Sequence, residues 1–347
     1  MRARLLVFLV IALGAGIALG RPALAQQDPA ALQWEKYRTR FLAPEGRVLD
    51  TGNRKISHTE GQGWAMLFAA AFDDRDDFER VWRWTRDNLQ RPDGALFSWR
   101  WDPSDKTPVS DANNASDGDI LIAWALIRAG REWKEPEYTR AAHRIVADIR
   151  HKLVARAAKR LVLLPGYDGF KSEDGTTTIN PSYYVYPALK EFSRLMPAPE
   201  WPRLRRDGLA LLAQARFGRW RLTPDWVGLT EDGAVEPAGK FPARFGFDAV
   251  RVPLYLIWGG DANHQRLASY VEFWSEFGDK PIPAWADLKD DTLAPYAAST
   301  GVQAVAALTR GFHAPEPAAL PEIGDADDYY SASLILLARL AQREAGR

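Results

Sequence analysis

Four stretches of this chain, 63–72, 120–127, 249–258 and 331–340, are apolar on nearly every side when wound into a helix. A helix with no polar face cannot border water, so each of the four must be enclosed by other protein. Between them lie segments of the opposite kind. In 136–154, Tyr138, Ala141, Ala142, Ile145, Val146, Ile149 and Leu153 recur at steps of three and four, which describes a one-sided helix with a basic outer face. Segments 75–89, 200–216 and 262–277 read the same way, and 29–42, 182–195 and 299–310 add three further helices. Enclosed helices thus alternate with half-exposed ones, and two concentric rings satisfy that alternation. The expected fold is all-α, an (α/α)6 barrel: a toroid of six helical hairpins. About eleven helical segments are countable where six hairpins need twelve.

No linker or shift of composition divides the chain, so residues 26–347 read as one domain, with a two-domain chain split near 160–180 as the alternative. Residues 1–25 stand apart. Arg2 and Arg4 precede an apolar run from Leu5 to Leu19, and Ala23-Leu24-Ala25 forms a small-residue cleavage site. This is the pattern of a signal peptide cut after Ala25, and it implies a periplasmic or secreted protein. The apolar run is shorter than the roughly 20 residues of a spanning helix, which argues against the alternative of an uncleaved anchor. No membrane span is expected after cleavage.

Removing residues 1–25 takes Arg2, Arg4 and Arg21 from 45 basic residues and nothing from the 45 acidic ones, for a formal charge of −3. Such balance gives no reason to expect nucleic acid or another polyanion as a partner. The absence of cysteine excludes a disulfide framework, a thiolate metal site and a cysteine nucleophile. His58, His143, His151, His264 and His313 are scattered without metal-ligand spacing, so neither a metal nor a cofactor is expected. No GxSxG, GxGxxG or GxxxxGK[ST] motif supports a serine hydrolase, dinucleotide or nucleoside triphosphate reading.

Acidic residues stand at the mouths of three enclosed segments: Glu60 in "HTEGQGWAMLFAAAF", Asp117 in "NNASDGDILIAWALI" and Asp248 in "FGFDAVRVPLYLIW". In a toroid the inner helices run the same way, so these three carboxylates would face one cavity. Each has a plain structural reading as a helix cap or first-turn acid, strongest for Asp117. It is weaker for Glu60, because Glu caps poorly and Gly61 and Gly63 imply that something approaches the backbone closely, with a sugar chain as one candidate. Several of the fourteen tryptophans lie in loops where no core pattern explains them: Trp99 and Trp101 in "LFSWRWD", and Trp226 in "TPDWVG". Tyr183 opens a helix beside Asn180. Aromatic faces with carboxylates, and neither a metal nor a basic patch, suit a neutral polyhydroxylated polymer hydrolysed by one acid and one base. A general acid at a helix N-terminus needs its pKa pushed upward, by burial against Trp64 or Trp101 or by a nearby ionised Asp117.

The segments "EGRVLD", "HTEGQGWAMLFA", "WTRDNL", "ASDGDILIAWALIRAGREW", "LLPGYDGF", "NPSYY", "PDWV", "FDAVRV" and "DDYYSASL", in this order, resemble glycoside hydrolase family 8, and within it the periplasmic cellulases that accompany bacterial cellulose synthase. The resemblance implies an (α/α)6 barrel that hydrolyses β-1,4-glucan with inversion. It matches Glu60 to the general acid, Asp248 to the general base and Asp117 to the residue that binds and distorts the sugar at the cleavage point. Trp99, Trp101, Asn180, Tyr183, Trp226 and Arg251 match substrate-cleft positions. It also implies β-1,4-glucan as the binding partner, and an association with a cellulose synthase complex. Phe247 stands where similar sequences have Tyr, so a hydroxyl beside the base is absent, and Trp64 replaces a more usual Tyr. Xylan, mixed-linkage glucan or chitosan stay open as substrates, the last through Asp225 and Asp232 as extra acids, as does a glucan-binding assembly factor without turnover.

Overall fold

In a computed structural model, which describes residues 29–345, eleven α-helices form among the described residues. They are α1 (Pro29–Phe41), α2 (Thr59–Ala71), α3 (Arg75–Leu89), α4 (Ser116–Glu132), α5 (Pro136–Asp148), α6 (Tyr186–Leu195), α7 (Glu200–Gln214), α8 (Arg251–Trp258), α9 (His264–Glu276), α10 (Thr300–Arg310) and α11 (Tyr329–Glu344). The expected signal peptide lies outside the described residues.

The enclosed segments form the inner wall. Helices α2, α4, α6, α8, α10 and α11 pack in a closed ring, each against the next and α11 back against α2. Every residue of α8 is buried, as is nearly every residue of α2 and α4 and most of α11. Outside the ring, α3, α5, α7 and α9 cover α2, α4, α6 and α10 with one apolar face each, and α1 covers α11 and α2. The fold is an (α/α)6 barrel with, among the described residues, one outer helix fewer than six hairpins need. Between α10 and α11, residues 311–328 run without helix, and Pro315, Pro317 and Pro321 explain why: each removes a backbone donor and clashes with the preceding turn. The shortfall of one segment in the sequence is therefore real and located.

One local expectation is corrected. The helix expected over 136–154 ends at Asp148, passes through a π-turn at Ile149–Leu153 and continues as strand β3 in a hairpin, Val154–Ala157 with Arg160–Leu163. Ile149 and Leu153 are still buried, so the apolar spacing was real but the backbone that carried it changed. Short antiparallel strands also occur in the loops, among them Ser57–His58 paired with Arg100–Trp101, Val227–Leu229, and Arg244–Phe245 paired with Ala286–Asp287. These pairs tie the loops down at the end of the barrel where the inner helices begin.

The N-termini of the inner helices meet there. Arg251 at the start of α8 reaches Glu60 on α2 and Ser182 just ahead of α6, the Gly301 N–H of α10 donates to Ser331 of α11, and Tyr330 of α11 donates to the Phe247 carbonyl ahead of α8. At the opposite end, Glu344 of α11 takes hydrogen bonds from Arg128 of α4 and Trp258 of α8.

Candidate active site

Glu60 is the second residue of α2. His58, not Glu60, caps this helix: its Nδ1 accepts the Gly61 N–H at 3.2 Å. The Glu60 side chain is thereby left free to point into the mouth. Asp117, the second residue of α4, accepts its neighbouring Gly118 N–H at 2.8 Å and so partly serves its own helix. Asp248 lies three residues before Arg251, in the turn that leads into α8.

The helices carrying Glu60 and Asp117 touch backbone to backbone. A Cβ on Gly63 would lie 2.6 Å from the Leu121 Cβ, and one on Gly118 would lie 2.0 Å from the Thr59 Oγ1 and 2.9 Å from the Glu60 nitrogen. Only glycine permits this approach. The space beside Gly61 and Gly63 is thus filled by protein, by the Tyr329 hydroxyl and by α4 respectively, and not by a sugar chain.

At the centre stands Arg251, 3% exposed. Its guanidinium bonds Glu60 Oε1 at 2.8 Å, Asp248 Oδ1 at 2.9 Å and Ser182 Oγ at 3.0 Å, and lies 3.9 Å from Asp117 Oδ2. It also lies over the Trp64 ring at 5.6 Å. The cation among the three carboxylates is therefore part of the chain, and among the described residues no His, Asp and Glu cluster is arranged to hold a metal. Because Glu60 and Asp248 each bond a terminal nitrogen of one rigid guanidinium, their bonded oxygens are at most about 8 Å apart.

Burial raises the pKa of Glu60 well above the ordinary carboxylate range. Arg251 opposes this, whereas the charge of Asp117, a hydrogen bond to Asp117 and the charge of Asp248 all add to it. Asp117 is raised by burial too, with Arg251 and the Glu60 hydrogen bond acting downward. The hydrogen bond between them acts upward on Glu60 and downward on Asp117, as for one proton shared between two buried carboxyls. The pull of the α2 N-terminus on the Glu60 proton is opposed by burial and by Asp117, and the Trp64 ring lies against Arg251 in the same mouth. Residues 12–344 match the sequence model of the glycosyl hydrolases family 8.

The chain belongs to glycosyl hydrolase family 8. A probable endoglucanase of Novacetimonas hansenii is 43% identical over 318 residues, 91% of this chain and 92% of that protein. An endoglucanase of Cellulomonas uda is 41% identical, over 81% of this chain and 78% of its own length. The solved endo-β-1,4-glucanase of Acetobacter xylinum superimposes with a TM-score of 0.88 at 42% identity, covering 92% of this chain and 99% of that one.

In this family 8 chain the expected cleft residues fall into two groups. Tyr183 and Trp226 come together edge to face at 6.0 Å, and burial followed by the charges of Asp117, Asp248 and Glu60 drives the Tyr183 hydroxyl far up, so it faces the same three acids. Asn180 is buried behind it. Its Oδ1 accepts from the Ser182 N–H and Oγ, while its Nδ2 has no partner among the described residues. Trp226 stacks on Phe241 at 4.3 Å, so the ring is braced by protein. The other group lies on the α2–α4 side. Trp99 donates to Asp111 at 2.8 Å, and its carbonyl accepts the Thr59 N–H at the start of α2. Trp101 meets Trp84 edge-on and lies under the Arg47 guanidinium at 4.8 Å.

Sequence reading had no reason to single out Ser182 or Tyr330, which engage Arg251 and the Phe247 carbonyl. Arg251 carried a legible signal beyond its cleft match: a lone charge in an otherwise apolar helix, three residues from an acid. Phe247 itself is 52% exposed beside Tyr330.

Proposed function

We propose that this chain is an inverting endo-β-1,4-glucanase in which Glu60 is the general acid, Asp248 the general base, and Asp117 both the keeper of the Glu60 proton and a sugar-binding group at the cleavage point. The observation that carries this reading is the arrangement around Arg251: one carboxyl whose pKa burial raises and another in the same mouth, bridged by a single buried cation. Glu60 gives its proton to the glycosidic oxygen as the bond to the anomeric carbon breaks. Asp248 takes a proton from a water that attacks the opposite face of the ring, and the new reducing end has inverted configuration. Before the step the negative charge of the pair sits on Asp248, and after it on Glu60. Arg251 bonds both, so its interaction with the pair changes little during the reaction. The ceiling of about 8 Å falls inside the roughly 6.5–9.5 Å that leaves room for such a water.

Endoglucanase names among relatives at 41–43% identity support a β-1,4-glucan substrate. Chitosan is disfavoured by the acids that kept it open. Asp225 is committed to backbone N–H groups, and exposed Asp232 to Thr230 and Ala234 of its own turn. Residues 26–347 act as one catalytic domain, exported by the signal peptide at 1–25, and the biological substrate is nascent cellulose trimmed beside a cellulose synthase complex. Release of reducing ends from carboxymethyl cellulose by the wild type, Glu60→Gln and Asp248→Asn tests the assignment, with each variant expected to lose about 10²–10⁴-fold in kcat. Equal background from all three would sink the enzyme reading, and a β-anomer as first product in NMR would sink inversion.

A further inference from the structure

Asp225 precedes strand Val227–Leu229 and is separated from Asp248 by 23 residues, yet it is bound to the turn that carries Asp248 at three points and to the strand before that turn at a fourth. Its Oδ1 accepts the N–H groups of Gly246 at 3.1 Å, Asp248 at 3.1 Å and Ala249 at 2.7 Å, and its own N–H donates to the Arg244 carbonyl at 2.7 Å. Three N–H groups aimed at one oxygen form a backbone cradle that favours an anion. We propose that Asp225 is a positioning residue for Asp248: its carboxylate fixes the 246–249 turn, and it fixes the turn more tightly when ionised than when neutral.

The charged surroundings of Asp225 are few. Asp248 faces it from the same turn and Tyr330 from α11. Arg251 of α8 is spent on Asp248, Glu60 and Ser182. The Arg244 guanidinium is turned away, over the Trp285 ring at 3.8 Å and toward Asp287 at 3.7 Å. Among the described residues, therefore, no cation is ion-paired with Asp225. Burial and the Asp248 charge push it up to about 7, against the pull of the three N–H groups. Ionisation makes those three bonds charge-assisted, roughly twice as strong as neutral ones. Above pH 7 the turn is held more firmly than below it. Asp248 acts only as the transition state forms, so the effect falls on kcat and not on KM.

Asp225→Asn keeps an oxygen for the three N–H groups and abolishes the titration. The ratio of wild-type to variant kcat on carboxymethyl cellulose is expected to rise about three- to tenfold from pH 6 to pH 8, with a midpoint near 7 and KM within about twofold, since small misplacements of a reacting group cost up to about 10²-fold. The Glu60 titration is common to both enzymes and cancels in the ratio. A ratio that does not change with pH overturns the proposal. If Asp225→Asn does not melt cooperatively, Gly246→Ala takes its place: the added Cβ lies 2.7 Å from Asp225 Oδ2 and displaces the carboxylate without changing its charge. It is expected to lower kcat and leave KM, and an unchanged kcat there refutes the proposal. The inference rests on Asp248 as base, so Asp248→Asn is measured in parallel. Wild-type turnover by Asp248→Asn would remove that assignment, whereas an inactive Asp248→Asn beside a pH-independent Asp225 ratio removes only the role of Asp225.

Discussion

Replacing Arg251 by Met removes a buried cation from among three carboxyls. Met fills much of the same volume, so the loss is mainly of charge. Glu60 and Asp117 already have folded-state pKa values above those of the unfolded chain. The folded protein therefore binds more protons than the unfolded one, and these groups cost stability progressively as pH rises from the unfolded value through the raised one. Arg251 acts downward on both, so deleting it raises both further and widens that window toward alkaline pH. Removing one partner of a buried ion pair typically costs about 3–5 kcal/mol. At about 2 °C per kcal/mol for a domain of this size, that is a drop of about 6–10 °C in Tm at pH 8. At pH 5 the carboxyls meet the loss by holding protons, and the cost falls toward the roughly 1.5 kcal/mol or less of a volume-conserving swap. Differential scanning calorimetry of wild type and Arg251→Met at the two pH values reads this directly. An equal drop at pH 5 and pH 8 would falsify the electrostatic account and leave Arg251 as a packing residue.

Three further outcomes are expected. Asp117→Asn removes the charge that raises the Glu60 pKa, so the alkaline limb of kcat/KM moves to lower pH; a limb that stays in place or moves up contradicts the assigned hydrogen bond. Gly118→Ala drives a Cβ into Thr59 and the Glu60 backbone, costing about 1–3 kcal/mol in thermal melts, and its kcat should fall further than its stability explains. Phe247→Tyr alters an exposed ring, so its stability should stay within about 0.5 kcal/mol of wild type, and comparing its kcat with wild type measures what the missing hydroxyl contributes.

The inner wall was legible where burial is total. Helices α2, α4, α8 and α11 have no polar side for the sequence to show, and that absence is itself the signal. Helix α6 was harder: Pro181 and Pro187 break 182–195 into a short 3₁₀ turn and a helix that starts at Tyr186. The hairpin at 154–163 was hidden because Ile149 and Leu153 continue the helical spacing of α5, while the turn depends on Ala158 at a φ of 43°, which no local pattern announces. The convergence of Glu60, Asp117 and Asp248 on one mouth was legible because each precedes an apolar run, a local relation. Asp225 was read as a spare acid because its bonds go to backbone N–H groups, which carry no side-chain identity for a sequence to display. The same applies to the missing outer helix, which the count registered but only the prolines of 311–328 locate.

The glycine seam between α2 and α4 has a consequence for how such a chain can change. With Gly63 against Leu121 and Gly118 against Thr59, the spacing of Glu60 and Asp117 is dictated by two main chains in contact, with no rotamer between them to drift. The Trp226 and Phe247 rings stand on loops outside that seam. On the function proposed above, proton handling and polymer preference are thus inscribed in separable parts of the molecule. A lineage can rewrite the loops, residue by residue, while the acid and its keeper descend together as one unit.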